Sequence, residues 1–145
     1  MSSNSVPEVL GFDHAALSVS DLERSHRFYA DVFGFNRVED DFRMPDHGLH
    51  GRVLINPAGV RIELFEQHGS QPHQRLDPTV AAMQQGWFQF ALSTKDIEAS
   101  YARVVAAGAA PLMSPRTAPD GRTLFAFVGD PDGNLVELLQ RRPPA

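Results

Sequence analysis

With 145 residues, 42% of them hydrophobic and 21% charged, the chain suits one soluble globular domain or two very small modules sharing a core. A net charge of -5 disfavours a nucleic-acid partner, which wants clustered Lys and Arg, and the absence of cysteine excludes disulfides, thiol nucleophiles and thiolate metal sites. No apolar run approaches the roughly 20 residues that span a bilayer, and the polar start Met1 to Pro7 lacks the apolar region of a secretory signal, so no membrane partner and a cytoplasmic location are expected.

The elements follow in chain order. An alternating stretch from Phe12 to Val19 predicts a half-buried strand. A helix comes next: Ser20 and Glu23 have capping-box spacing, Asp21 and Glu23 suit the positive end of the dipole, and Gly34 stops it. Its apolar stripe is Leu22, Phe28, Tyr29, Val32 and Phe33. Strands are predicted near 35–40, 51–56 and 60–66, the last two joined by a turn at Pro57-Ala58-Gly59. A polar, Gln-rich connector, 67–86, holds a short helix from Asp77-Pro78 through Met83, with proline at the first helical position.

The pattern then repeats. Trp87 to Asp96 resembles Phe12 to Asp21, with Gln89 falling on His14. Asp96 caps a second helix striped by Ile97, Tyr101, Val104 and Val105 and stopped by Gly108. Strands are predicted near 110–114, 122–128 and 134–140, and Asp130 to Leu138 resembles Asn56 to Leu64, with Glu137 falling on Glu63. Two matched blocks in the same order imply a duplication. The chain reads as one domain, 10–140, of two β-α-β-β-β modules, 10–66 and 87–140, with loose ends at Met1–Pro7 and Arg141–Ala145.

Strand parity then sorts the side chains. Leu17, Val19, Ile62 and Leu64 should meet a helix, and Phe90, Leu92, Val136 and Leu138 likewise. His14, Glu63, Gln89 and Glu137 fall on the opposite faces. A buried carboxylate without a partner is costly, and two would repel. One divalent cation would offset both costs, and a donor set of one imidazole, one amide oxygen and two carboxylates suits Zn, Ni, Co, Mn or Fe(II).

These residues resemble the vicinal oxygen chelate superfamily, which includes glyoxalase I, methylmalonyl-CoA epimerase, extradiol dioxygenases and the fosfomycin and bleomycin resistance proteins. The opening run Asp13 to Glu23 with Phe28-Tyr29 and Phe33-Gly34-Phe35 is similar to the family's first strand and helix, and Asp130 to Leu138 to its closing hairpin. The likeness implies an α+β fold: two tandem βαβββ modules whose sheets form a cup-shaped, eight-stranded mixed sheet with helices outside. It implies metal ligands at His14, Glu63, Gln89 and Glu137, and a homodimer acting on a small molecule. Glyoxalase I-like members place His where this chain has Gln89, so His and Gln are exchanged between the halves. The implied activity is a lyase or isomerase of glyoxalase I type working through a metal-chelated enediolate, with Glu63 or Glu137 as the proton shuttle. A non-catalytic small-ligand binder of antibiotic-resistance type is the alternative. An extradiol dioxygenase is disfavoured by Gln89.

Other polar residues carry plainer readings. His26 belongs to the first helix, His47 and His50 to a rim loop, and His68 and His73 to the solvated connector. Arg37, Arg43, Arg52, Arg61, Arg116 and Arg122 are surface charges or clamps for a substrate anion. Phe65, Trp87, Phe125 and Phe127 are core or pocket wall.

Overall fold

The computed structural model describes residues 8–73 and 77–143. Of the loose ends expected at 1–7 and 141–145, residues 1–7 and 144–145 lie outside the described residues, as does part of the connector, while Arg141 ends the last strand. The chain runs β1 (His14–Val19), α1 (Leu22–Phe33), β2 (Arg37–Met44), β3 (Leu49–Ile55), β4 (Arg61–Gln67), α2 (Pro78–Ala81), β5 (Gln89–Ser93), α3 (Ile97–Ala106), β6 (Ala110–Thr117), β7 (Thr123–Gly129) and β8 (Leu135–Arg141). A single turn of tighter helix, Pro45–His47, sits between β2 and β3.

The expected strands form two four-stranded sheets of identical topology, β1-β4-β3-β2 and β5-β8-β7-β6. In each, the first strand pairs in parallel with the last and the other pairings are antiparallel, so both sheets are mixed. The eight strands do not join into one ladder in the chain: β1 and β2 are the edges of one sheet, β5 and β6 those of the other, and no edge pairs with the other sheet. β2 and β6 run longer than their apolar patterns suggested, since ladder hydrogen bonds carry polar residues such as Asp41 and Arg116 into the strand.

Local chemistry fixes both helices alike. Asp21, rather than Ser20, is the N-cap of α1 and accepts from the Arg24 amide; Asp96 caps α3 by accepting from the Ala99 amide. A second exposed helix amide is satisfied from the closing strand of the same module. Glu66 accepts from the Leu22 amide at 2.6 Å, and Gln140 from the Ile97 amide at 2.9 Å. Gly34, at φ 77°, ends α1 in a left-handed conformation that side chains resist.

The helix-facing stripes of both modules meet in one core. Val19, Leu22, Tyr29, Phe35, Ile62 and Leu64 from the first half join Ile97, Val104, Val136 and Leu138 from the second. Tyr29 is the hinge of this contact: fully buried, it lies 6.5 Å from the Phe90 ring and donates its hydroxyl to Asp130 at 2.8 Å. Asp132, in the same β7–β8 turn, accepts from the Ser20 amide, the Arg24 guanidinium and the Ser25 hydroxyl, all in or beside the first turn of α1. The matching turn of the first module has Asn56 and Ala58 at these places, and makes only its own local hydrogen bonds.

Candidate metal centre

His14 opens β1 and Glu63 sits in β4, on the sheet face away from α1. The His14 Nε2 atom lies 2.9 Å from Glu63 Oε2. On its other side the ring is held by Asp13, whose Oδ1 is 2.7 Å from Nδ1. A carboxylate on Nδ1 fixes the ring and its tautomer and leaves Nε2 as the free lone pair, an arrangement typical of metal-ligating histidines. The hydrogen bond to Asp13 raises the His14 pKa above its ordinary value, opposed next by burial and aided to a lesser degree by the charges of Glu63 and Asp13. The same hydrogen bond lowers the Asp13 pKa. A doubly protonated ring would therefore bridge two carboxylates, Asp13 through Nδ1 and Glu63 through Nε2, and a divalent cation would take the place of the Nε2 proton.

The second module repeats the geometry with an amide in place of the imidazole. Gln89, first residue of β5, donates its amide N–H to Glu137 Oε2 in β8 at 2.8 Å. That bond leaves the Gln89 Oε1 atom buried with no hydrogen-bond partner. An orphaned buried acceptor is unusual and calls for an ion, a water or a ligand. Burial raises the Glu137 pKa, opposed in part by the Gln89 N–H and by the positive charge of Arg141. A carboxylate short of positive charge beside an oxygen short of a partner fits a divalent cation.

The four expected ligands thus come together two by two. Among the described residues no three His, Asp or Glu side chains stand close enough to hold one ion, so one chain presents two half-sites. A cavity of about 610 Å³ is lined from both edge strands, including His14, Ser18, Gln89 and Asp132, with Phe12 and Trp87 at matched positions two residues ahead of the half-site residues. Trp87 is 87% exposed and Phe12 78%, so Trp87 belongs to the cavity rim and not to the core.

The other candidates have structural posts. Arg52 bonds Asp41, Glu23 and His26, and His50 bonds Asp41, which ties α1 to β2 and β3. Arg61 is engaged by Glu39 through two hydrogen bonds. Phe42 lies over Gly51 and edge-on to Phe65, 5.8 Å away, on the Glu63 face; Phe125 and Phe127, at positions that match Gly51 and Val53, form an aromatic pair on the Glu137 face. Sequence reasoning missed Asp13. Parity assigned it to the helix side, but it precedes the first residue of β1, where parity does not yet hold; its signal was adjacency to a candidate metal histidine.

Comparison with known proteins shows what the chain is similar to. The family model described as Glyoxalase/Bleomycin resistance protein/Dioxygenase superfamily matches residues 11–138. The chain is 31% identical over 137 residues to lactoylglutathione lyase GLX1 of Arabidopsis thaliana, over 91% of this chain and 44% of that one. It is 30% identical to the lactoylglutathione lyase of Pseudomonas putida, over 91% and 86% of the two chains. Of solved structures, glyoxalase I from Zea mays superposes with a TM-score of 0.70 at 24% identity, covering 90% of this chain and 44% of that one. TnmS3, an antibiotic binding protein from Streptomyces sp. CB03234, superposes with a TM-score of 0.67 at 25% identity over 94% and 100%. The chain therefore spans under half the length of the two plant proteins and most of the two bacterial ones.

Proposed function

The chain belongs to the Glyoxalase/Bleomycin resistance protein/Dioxygenase superfamily, and from that premise we propose that it is a divalent-metal-dependent isomerising lyase of glyoxalase I type, acting on an adduct of a 2-oxoaldehyde with a thiol. The observation that carries this reading is the pair of matched half-sites, His14 with Glu63 and Gln89 with Glu137, the second holding an unpartnered buried oxygen. The relatives named lactoylglutathione lyase support the reaction class.

His14 Nε2, Gln89 Oε1 and the two glutamates would hold the ion, and the chemistry of this donor set suits Zn, Ni, Co, Mn or Fe(II). When bound, such an ion supplies Lewis-acid polarisation of two adjacent substrate oxygens. The residues supply the rest. Asp13 keeps the His14 ring in place. Glu63 or Glu137 takes the proton from one substrate carbon and returns it to the neighbouring one, a task favoured by a pKa near the working pH, toward which burial moves Glu137. Phe42, Phe65, Phe125 and Phe127 present apolar surface that would keep water from the exchanging proton.

Because each chain carries one half-site of each kind, a two-fold pair of chains would complete two whole centres, module 1 of one facing module 2 of the other. β1 and β5, which open the two half-sites, are edge strands of their sheets, so such pairing would set them beside each other. Two experiments test the proposal. Metal titration should show about one divalent ion per chain, with affinity lost in Glu63→Ala and Glu137→Ala, reduced in His14→Ala and least affected in Gln89→Ala; unchanged affinity in both glutamate variants refutes the centre. Mixing inactive Glu63→Ala with inactive Glu137→Ala should then restore isomerase activity, since a hybrid pair regains one intact centre. Absence of any rescue would refute the shared arrangement. Should the protein bind metal-free ligand without turnover, the binder reading would replace the enzyme.

A further inference from the structure

One row of residues on the helix side of the first sheet is charged, and its counterpart in the second is not. Register sets Arg43 of β2 opposite His50 of β3, and His50 opposite Glu66 of β4. The three share the face that meets α1, because each stands two residues from Asp41, Arg52 or Leu64, and Arg52 reaches Glu23 and His26 of α1. The matched row of the second module is Thr117, Leu124 and Gln140. The fold therefore does not demand charge here. Glu66 Oε2 accepts from the Leu22 amide of α1, but Gln140 does the same for Ile97 of α3 with a neutral amide.

This row borders a cavity of about 520 Å³ beside the start of α1. His68 stands next to it, since its amide extends the ladder to the Gly48 carbonyl at 3.0 Å. Gly48 leaves the space open: an added Cβ would lie 3.4 Å from that of His68. The cavity offers donors and acceptors together. Arg43 and His68 make no salt bridge or side-chain hydrogen bond among the described residues. His50 Nε2 lies 2.8 Å from Asp41, a carboxylate that also takes Arg52, so a neutral ring presents Nδ1 as an acceptor. The Oε1 atom of Glu66 carries no hydrogen bond among the described residues and is a second acceptor.

We propose that Arg43, His50, Glu66 and His68 form a binding site for a hydrogen-phosphate group. A guanidinium pairs with phosphate oxygens in fixed, bidentate geometry, while Glu66 and His50 accept the O–H that hydrogen phosphate still carries. Sulfate has no such proton, so its oxygens would face these lone pairs unpaired. The site is separate from the metal half-site, because Glu66 and Glu63 lie on opposite faces of β4.

The probes are inorganic phosphate, methyl phosphate and sulfate, titrated into the full chain at constant ionic strength and pH 6, where much of either phosphate keeps a proton. Binding is read as saturable NMR shifts of the Gly48, His50, His68 and Gly69 amides. Wild type should prefer phosphate to sulfate by roughly tenfold or more, and Arg43→Gln should weaken phosphate binding by roughly tenfold. Glu66→Gln keeps the acceptor for the Leu22 amide, as Gln140 shows, and should bring sulfate to within about threefold of phosphate. Methyl phosphate binding as tightly as phosphate would assign the site to phosphomonoesters, and weaker binding would assign it to the free ion; both sustain the proposal. No saturable shift, equal binding of phosphate and sulfate by wild type, or unchanged binding in both variants overturns it. Glu63→Ala separates this site from the metal centre: retained phosphate binding sustains the proposal whatever becomes of metal affinity, and lost phosphate binding would move the anion to the metal centre and overturn it.

Discussion

The Asp13 carboxylate does for His14 what no other contact does: it holds Nδ1 and so commits Nε2 to Glu63. Carboxylates in this position typically contribute 10–100-fold to metal affinity, so Asp13→Ala should weaken divalent-ion binding by roughly that factor. Its circular dichroism should stay as in wild type, because Asp13 is exposed and lies outside the core. Equal affinity in the variant and wild type would show that Asp13 does not orient the ring. Gln89 was legible in the sequence through the repeat, although its pairing with Glu137 was not. A hydrogen bond between residues 48 apart depends on side-chain rotamers that no periodicity encodes.

Among the elements, α1 is bound to its sheet by a polar network as well as by its apolar stripe. His26 accepts from the Arg52 guanidinium at 2.8 Å, and burial, then the Arg52 charge, lowers its pKa below the ordinary histidine value. The folded state therefore binds this proton less readily than the unfolded state. The associated stability is present above the unfolded pKa of about 6.5 and is lost as pH falls through that value toward the folded one. Urea unfolding between pH 7.5 and 5 should thus give a gentler pH slope in His26→Gln than in wild type; an identical slope would place the acid sensitivity elsewhere. The β2–β3 ribbon offers a steric counterpart. A Cβ on Gly51 would lie 2.3 Å from the Phe42 ring, so Gly51→Ala should destabilise by about 1–3 kcal/mol through overpacking. Adding Phe42→Ala should recover part of that loss, and denaturation midpoints of the two variants decide it. The strands themselves were readable from alternation, and the helices from their caps and glycine stops. The extra length of β2 and β6 was not, because backbone hydrogen bonding extends a strand past its apolar pattern.

At the scale of the whole molecule, the duplicated organisation, the α+β class and the module order could all be read from the repeat. The join between modules could not. It depends on Tyr29 reaching Asp130 and on Asp132 reaching the first turn of α1, contacts between residues about a hundred positions apart. Burial raises the Asp130 pKa and drives that of Tyr29 well above its ordinary value, so a neutral phenol donates to the carboxylate. Ionised Asp130 costs stability above its folded pKa, and the cost is relieved as pH falls toward the unfolded value. Tyr29→Phe, which leaves that carboxylate one donor short, should cost about 1–3 kcal/mol at pH 7 and less at pH 4; chemical denaturation at both pH values measures it, and an equal loss would argue against the assignment. The shared core contains no metal-ligand candidate, so chelator should leave the far-ultraviolet circular dichroism unchanged, while a bound ion should raise the melting temperature by mass action.

The join is also directional. Asp130 and Asp132 of the second module serve α1, yet Asn56 and Ala58 offer nothing comparable to α3, and Val104 stands where Tyr29 would be its counterpart. During synthesis the first module is made before the second, so the turn that completes its helix start emerges about a hundred residues after that helix. The early half must therefore wait for the late one, while the late half has no such debt. A circular permutant opened in the connector, with residues 87–143 ahead of 8–66, would reverse that order and let α1 meet its clamp as soon as it emerges.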